Sequence, residues 1–184
     1  MEKSKRAKSQ TSYTVADSMQ ITSILAGLDL SFFTPFAMFL HNYAYSLVAI
    51  LSLVTFPYLR GKGRNHALAV SMVVVLLLTL GIKGLYGIPR PCQSWLPDAK
   101  ACTPEEEFGF PSGHTAFAFV FVAASLGTGL FPLYLLTGIL VAFSRLYLGV
   151  HSIADVAGGV VLGVITYLLV EEFEDYLIRR RKGK

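Results

Sequence analysis

Apolar residues run in long blocks along this chain, and polar residues are confined to the gaps between them. Five blocks are clear: Ala44 to Leu59, His66 to Ile82, His114 to Phe131, Leu133 to Leu148 and Ile153 to Val170. A helix that crosses a bilayer needs roughly 20 mainly apolar residues, and some of these blocks are short. Helix is still the expected state, because lipid offers no partner to an open backbone N–H or C=O. A sixth block, Gln20 to Leu40, is interrupted by Asp29 and Pro35, and its first half also suits an amphipathic helix at the interface. The expected fold is all-α: a polytopic helical membrane bundle of about six transmembrane helices, with five plus an interfacial helix as the alternative.

Composition supports this class. Of 184 residues, 53% are hydrophobic and 15% charged, whereas soluble domains carry about 25% charged residues. The length fits one domain, residues 1–184, and there is no internal repeat or low-complexity tract. The N-terminus does not read as a cleaved signal peptide: its apolar stretch starts late, contains Asp29 and lacks a small-residue cleavage site.

The charge distribution predicts an orientation. Twelve of the 16 Lys and Arg residues fall in three clusters: Lys3, Lys5, Arg6 and Lys8; Arg60, Lys62 and Arg64; and Arg179, Arg180, Arg181, Lys182 and Lys184. Basic residues beside membrane ends mark the cytoplasmic side, and clusters this short beside apolar runs do not read as a nucleic-acid surface. With both termini inside, the span count must be even, which favours six. The segment from Lys83 to Gly113 and the turn around Gly149 to Ser152 then face outward, to the periplasmic or extracellular side of the inner (plasma) membrane. Only Lys83, Arg90, Lys100 and Arg145 remain as outer cations.

Three outer segments hold polar residues that apolar helices should avoid. Residues 83–91 contain Lys83, Arg90 and Pro91. Residues 111–114 read Pro-Ser-Gly-His. Residues 144–155 contain Ser144, Arg145, His151 and Asp155. Ionisable groups at membrane depth are expensive and usually functional. If the helix ends converge, Lys83, Arg90 and Arg145 make an anion site, with the arginine fork suited to phosphate oxygens. Ser112 reads as an N-cap, and free amides at a helix start bind phosphate. Gly113 leaves the backbone open to close approach. His151 and Asp155, four residues apart, form a nucleophile–orienter pair, and His114 can deliver a proton to a leaving oxygen.

Together these segments resemble the signature of the type 2 phosphatidic acid phosphatase family: Lys, six residues, Arg-Pro; Pro-Ser-Gly-His; Ser-Arg, five residues, His, three residues, Asp. Every specified position is filled, in order, between Lys83 and Asp155. The family is similar in core and site to vanadium-dependent haloperoxidases and glucose-6-phosphatase. The resemblance implies that Lys83, Arg90, Ser112, Gly113 and Arg145 bind phosphate. It implies that His151 forms a phosphohistidine with Asp155 behind it, that His114 protonates the leaving group, and that water completes hydrolysis. No cofactor and no metal are expected, since three nearby cations would repel a divalent ion.

The implied activity is a metal-independent lipid phosphatase acting on an isoprenyl diphosphate, phosphatidylglycerophosphate, phosphatidate or a lipid A-type phosphate. Its expected partners are the substrate and the bilayer, with no nucleic acid and no obligate protein partner. A lipid phosphotransferase using the same phosphohistidine and a non-catalytic lipid-phosphate carrier are the alternatives.

Other polar residues read as bystanders. His41 and His66 lie outside the signature, and Phe32, Phe33, Phe36 and Phe39 suit packing or lipid contact. Asp29 caps a broken helix or pairs with a site cation. Glu105, Glu106 and Glu107 are a solvated run or a gate that repels anionic head groups. Cys92 and Cys102, both in the outer loop, can form a disulfide, which that compartment permits, and which could hold Arg90 in place.

Overall fold

Small residues on the last helix set the packing. Among the described residues, seven α-helices follow a first helical segment, α1, at residues 18–26. They are α2 (Thr34–Asn42), α3 (Ala44–Thr55), α4 (Arg64–Tyr86), α5 (Pro91–Ser94), α6 (Gly113–Ala124), α7 (Phe131–Tyr147) and α8 (Ile153–Lys182). The computed structural model describes residues 18–59, 64–102 and 108–182. A β-carbon on Gly159 of α8 would stand 2.6 Å from the Ser112 carbonyl oxygen and 3.2 Å from the Ala116 amide. Gly163, one turn on, is pressed against Ala116 as well. This small-residue seam lets the backbones of α6 and α8 touch, as in helix pairs that associate within lipid. α4 and α7 pack on α6 from its other sides, and Gly138 of α7 lies against Val122 and Phe119.

The outward faces are apolar. Val73, Leu77 and Leu80 on α4, Leu133, Leu136 and Ile139 on α7, and Val161, Ile165 and Leu169 on α8 are all exposed. The buried side chains include Ser71, Thr79, Thr115, Ser125, Ser144 and Thr166. An apolar exterior with hydroxyl side chains buried among the packed helices is the arrangement of a membrane-spanning bundle, since helix association in lipid depends on close packing and polar contacts.

The described residues form an all-helical bundle, as expected, and by length and composition alone fewer than six of its helices reach across a bilayer. By length and composition α4 and α8 can each cross a membrane, and Thr34–Asn42 with Ser46–Leu59 makes a third span if that pair, bent by 82°, is counted as one. α6 and α7 are apolar but shorter. At 1.5 Å per residue, the 12 residues of α6 reach about 18 Å, below the roughly 30 Å of a hydrocarbon core. The block expected from Gln20 to Leu40 is two helices, residues 18–26 and Thr34–Asn42, with a non-helical stretch between; Pro35 stands in the first turn of α2, where its missing N–H costs nothing. The block expected from His114 to Phe131 stops at Ala124, where Ser125, Gly127 and Thr128 turn the chain; Gly127 has φ 72°.

Contacts trace the chain between two ends of the bundle. At one end, Arg64 donates to the carbonyls of Ala124 (2.7 Å) and Leu126 (2.8 Å) and pairs with Glu171 at 3.0 Å. His66 meets Glu174 there at 2.9 Å. At the other end lie Lys83, Gly113, Arg145 and His151, at the termini of α4, α6, α7 and α8. α1 sits at this second end: Thr22 accepts from the Ile153 amide at 3.3 Å, and Lys100 donates to the Ala26 carbonyl. Between α1 and Lys182 the chain therefore passes from end to end five times, through α2 with α3, α4, α6, α7 and α8. That path has α1 and Lys182 at opposite ends of the bundle. The N-terminal basic cluster, Arg60, Lys62 and Glu105–Glu107 lie outside the described residues.

The segment between α4 and α6 folds back as a cap. Gly87, at φ 56°, turns the chain out of α4. Pro89 bridges Phe108, and Gly109 donates to the Ile88 carbonyl at 2.7 Å. Cys92 and Cys102 are joined by a disulfide with their Cα atoms 5.9 Å apart. Ala101 donates to the Leu148 carbonyl at 3.2 Å, and Lys100 lies over the Tyr147 ring.

Candidate active site

Four helix termini and the cap bring the three polar segments to one place. Lys83 leaves the last turn of α4 and donates to the Phe108 carbonyl at 3.0 Å. Arg90, almost wholly buried, precedes the short α5. Its backbone is fixed by Gln93 Oε1 at 3.4 Å and by Ser94, which donates to its carbonyl at 2.9 Å. Ser112 stands at the N-cap position of α6 as expected, yet its side chain makes no cap hydrogen bond. Its hydroxyl accepts from Thr115 at 3.0 Å instead, and its carbonyl accepts the first helical bond, from Ala116. Gly113 and His114 follow in the first turn, half-buried.

His151 and Asp155 are both buried. α8 begins at Ile153, so His151 stands in the preceding turn and Asp155 in the first helical turn. His151 Nδ1 lies 3.5 Å from Asp155 Oδ2. The same carboxylate oxygen accepts from the Ser152 amide at 2.7 Å, which fixes its orientation. The Asp155 backbone carbonyl takes the Ser112 amide at 2.9 Å, tying the start of α6 to the start of α8. Gly149, at φ 74°, makes the turn that aims His151, and a β-carbon there would strike Ala99 and Leu96 of the cap. Burial pushes the His151 imidazole below its ordinary value; hydrogen bonding to Asp155 opposes this, and the Arg90 and Lys83 charges reinforce it. The shift favours the neutral ring, whose free nitrogen carries a lone pair.

Arg145, in the last turn of α7, is 1% exposed. Its Nε donates to Ser144 at 3.1 Å, its Nη2 to the Ala37 carbonyl at 3.5 Å, and its Nη1 meets His41 Nδ1 at 3.0 Å. His41 belongs to α2, and its ring stacks on that of His114 with centroids 6.1 Å apart. It is the residue that the sequence reading passed over. The available signal was an ionisable side chain inside an apolar block; its place outside the signature hid it. His66 is at the opposite end, and Asp29 is exposed between α1 and α2. Lys100 is engaged with Ala26 and Tyr147 in the cap.

Lys83, Arg90, Gly113, His114 and His151 line a cavity of about 350 Å³. The rest of its lining is mostly apolar, among it Phe36, Phe39, Leu51, Leu80, Phe117 and Phe121, with Thr79, Tyr134 and Thr137 as further polar members. An anion among those first five residues would meet cations and two imidazoles, with room for a hydrocarbon beside it. Among the described residues no group of three or more His, Cys, Asp and Glu side chains is placed to hold a metal ion.

Residues 66–179 match a family model described as the PAP2 superfamily. The chain is 31% identical over 126 residues to phosphatidylglycerophosphatase B of Bacillus subtilis (strain 168), covering 59% of this chain and 61% of that protein. It is 28% identical over 150 residues to the undecaprenyl-diphosphatase BcrC of the same organism, covering 76% and 74%. Among solved structures, Aquifex aeolicus LpxE is similar with a TM-score of 0.66 at 25% identity, over 83% of this chain and 93% of that one. A transmembrane PAP2 type phosphatidylglycerolphosphate phosphatase from Bacillus subtilis shares the fold with a TM-score of 0.69 at 22% identity, over 89% and 87%.

Proposed function

Because this membrane-spanning chain belongs to the PAP2 superfamily, we propose that it removes phosphate from a membrane lipid through a phosphohistidine on His151. The observation that carries this reading is that Lys83, Arg90, Gly113, His114 and His151 all line one largely apolar cavity. Buried and neutral, His151 attacks phosphorus with Nε2 while Asp155 receives its Nδ1–H. The bond from phosphorus to the lipid oxygen breaks, and His114 gives that oxygen a proton. Water then attacks the phosphohistidine, passes a proton to His114, and inorganic phosphate leaves. Lys83, Arg90, Arg145 and the first amides of α6 stabilise charge on the phosphoryl oxygens. Cations supply that charge without a metal.

The substrate is an isoprenyl diphosphate, phosphatidylglycerophosphate, phosphatidate or a lipid A-type phosphate. The relatives named for phosphatidylglycerophosphate and for undecaprenyl diphosphate support the first two. The exposed arginines 179–181 lie at the end opposite the site, and basic residues favour the cytoplasmic side. The site then faces the periplasmic or extracellular side.

Phosphate release by the purified protein from these four lipids, with a strong chelator present, tests the activity. Release of inorganic phosphate from at least one is expected. Label that passes to an organic acceptor would replace hydrolysis by transfer, and binding without turnover would leave a carrier. An impermeant thiol reagent on cysteines introduced singly at positions 62 and 100 tests the sidedness. Labelling of position 62 from outside, with 100 protected, would invert it.

A further inference from the structure

We infer that His41 is a positioning residue of this site, holding Arg145 and His114 in register from a helix outside the family's signature. This inference rests on the phosphatase reading. α2 lies before residue 66, where the match to the family model begins, so no signature segment includes His41.

Three contacts carry the inference. Arg145 Nη1 and His41 Nδ1 are 3.0 Å apart. A guanidinium only donates, so Nδ1 is the acceptor and His41 is the neutral tautomer with its proton on Nε2. Arg145 is also held by the Ala37 carbonyl, one turn earlier on the same helix. α2 thus grips the guanidinium from two of its nitrogens, and a planar fork held at two points keeps one orientation. The second contact is the parallel stack of the His41 and His114 rings, inclined by 17°. The third is the His41 carbonyl, 3.5 Å from His114 Nε2. That carbonyl is in the last turn of α2, where helix geometry provides no intrahelical donor.

One residue therefore touches both a phosphate-binding cation and the proton donor. Neither His41 nor Arg145 lines the cavity, whereas His114 does, so His41 acts by setting the positions of Arg145 and His114. It stands just before the bend between α2 and α3, which places α3 against the apolar part of the cavity through Leu47, Val48 and Leu51.

Two replacements separate the acceptor from the ring. His41→Asn keeps an oxygen where Nδ1 stands, and His41→Phe keeps a ring against His114 without an acceptor. Steady-state hydrolysis, inhibition by orthovanadate and thermal midpoint are measured on wild type and both variants. His41→Phe should weaken vanadate inhibition and lower kcat/KM by about tenfold to a hundredfold, the range for losing a hydrogen bond to a charged group. His41→Asn should restore vanadate inhibition toward wild type. It should remain sensitive to leaving-group quality, because the stack on His114 is gone. Equal vanadate inhibition in wild type and His41→Phe, at matched thermal midpoints, would overturn the role. Should His41→Phe not fold, His41→Leu takes its place, being close to Asn in shape and lacking the acceptor. A wild-type protein that releases phosphate from no lipid would instead defeat the phosphatase reading, and vanadate protection of the thermal midpoint would still report on His41.

Discussion

Gly159→Ala should damage both the stability and the chemistry of this protein through one methyl group. The new carbon would stand 2.6 Å from the Ser112 carbonyl oxygen, 3.0 Å from Thr115 Cβ and 3.2 Å from the Ala116 amide. Ordinary contact needs roughly 3.5 Å, so α8 must retreat from α6 by close to 1 Å. The obstacle is main chain, which cannot rotate away as a side-chain end can. Overpacking of this kind costs about 1–3 kcal/mol, while Ala gains about 1 kcal/mol over Gly in helix propensity. The net loss is therefore modest, from near zero to about 2 kcal/mol, and for a chain of this size that is a fall of a few degrees in melting temperature.

The effect on rate should be larger. Ser112 donates its amide to the Asp155 carbonyl, so the same displacement separates His114 from His151. A misplacement of about 1 Å can cost on the order of a hundredfold in rate. Gly81→Ala on α4 is the control, since nothing lies within 4 Å of its added carbon. Melting in detergent and lipid-phosphate turnover, measured together, decide the matter. If Gly159→Ala melts and turns over like Gly81→Ala, the proposed coupling of the α6–α8 seam to the site is wrong.

Three further outcomes are expected. His151→Ala should abolish turnover and any phosphoenzyme trapped by alkaline quench, whereas His114→Ala should slow lipid alkoxide substrates far more than nitrophenyl phosphate, which needs little leaving-group protonation; a phosphoenzyme that persists in His151→Ala reverses the roles. The acid limb of kcat/KM should lie below the ordinary histidine value of 6.5, because burial depresses His151 and activity is lost only as the ring gains a proton; Asp155→Asn, which removes a group that raises the His151 value, should lower kcat and move that limb to still lower pH, and a limb at or above 6.5 would contradict a neutral, buried His151. Cys92→Ser should reduce kcat/KM by about tenfold or more through loosening of the neighbouring Arg90, with mass analysis of the unreduced wild type showing Cys92 joined to Cys102; full activity under reductant would detach the disulfide from the site.

The apolar blocks and the three polar segments were legible along the chain because each is a local property. A run of apolar residues has few alternatives to helix in lipid, and spacings such as Lys83 to Arg90 or His151 to Asp155 survive any arrangement of the rest. Helix limits were less legible. The first block divides into two helices, and α6 stops at Ala124, because turn chemistry interrupts an apolar run without changing its average character. Sequence also left open which helices meet. The bond between Arg145 and His41 joins positions 104 residues apart. It exists because α2 lies against the end of α7, with Phe33 against Phe143 and Tyr147. Pattern along the chain determined which residues form the candidate site. Packing between distant helices decided that His41 joins them, since side-chain contacts across a bundle depend on helix faces and bends that no local spacing records.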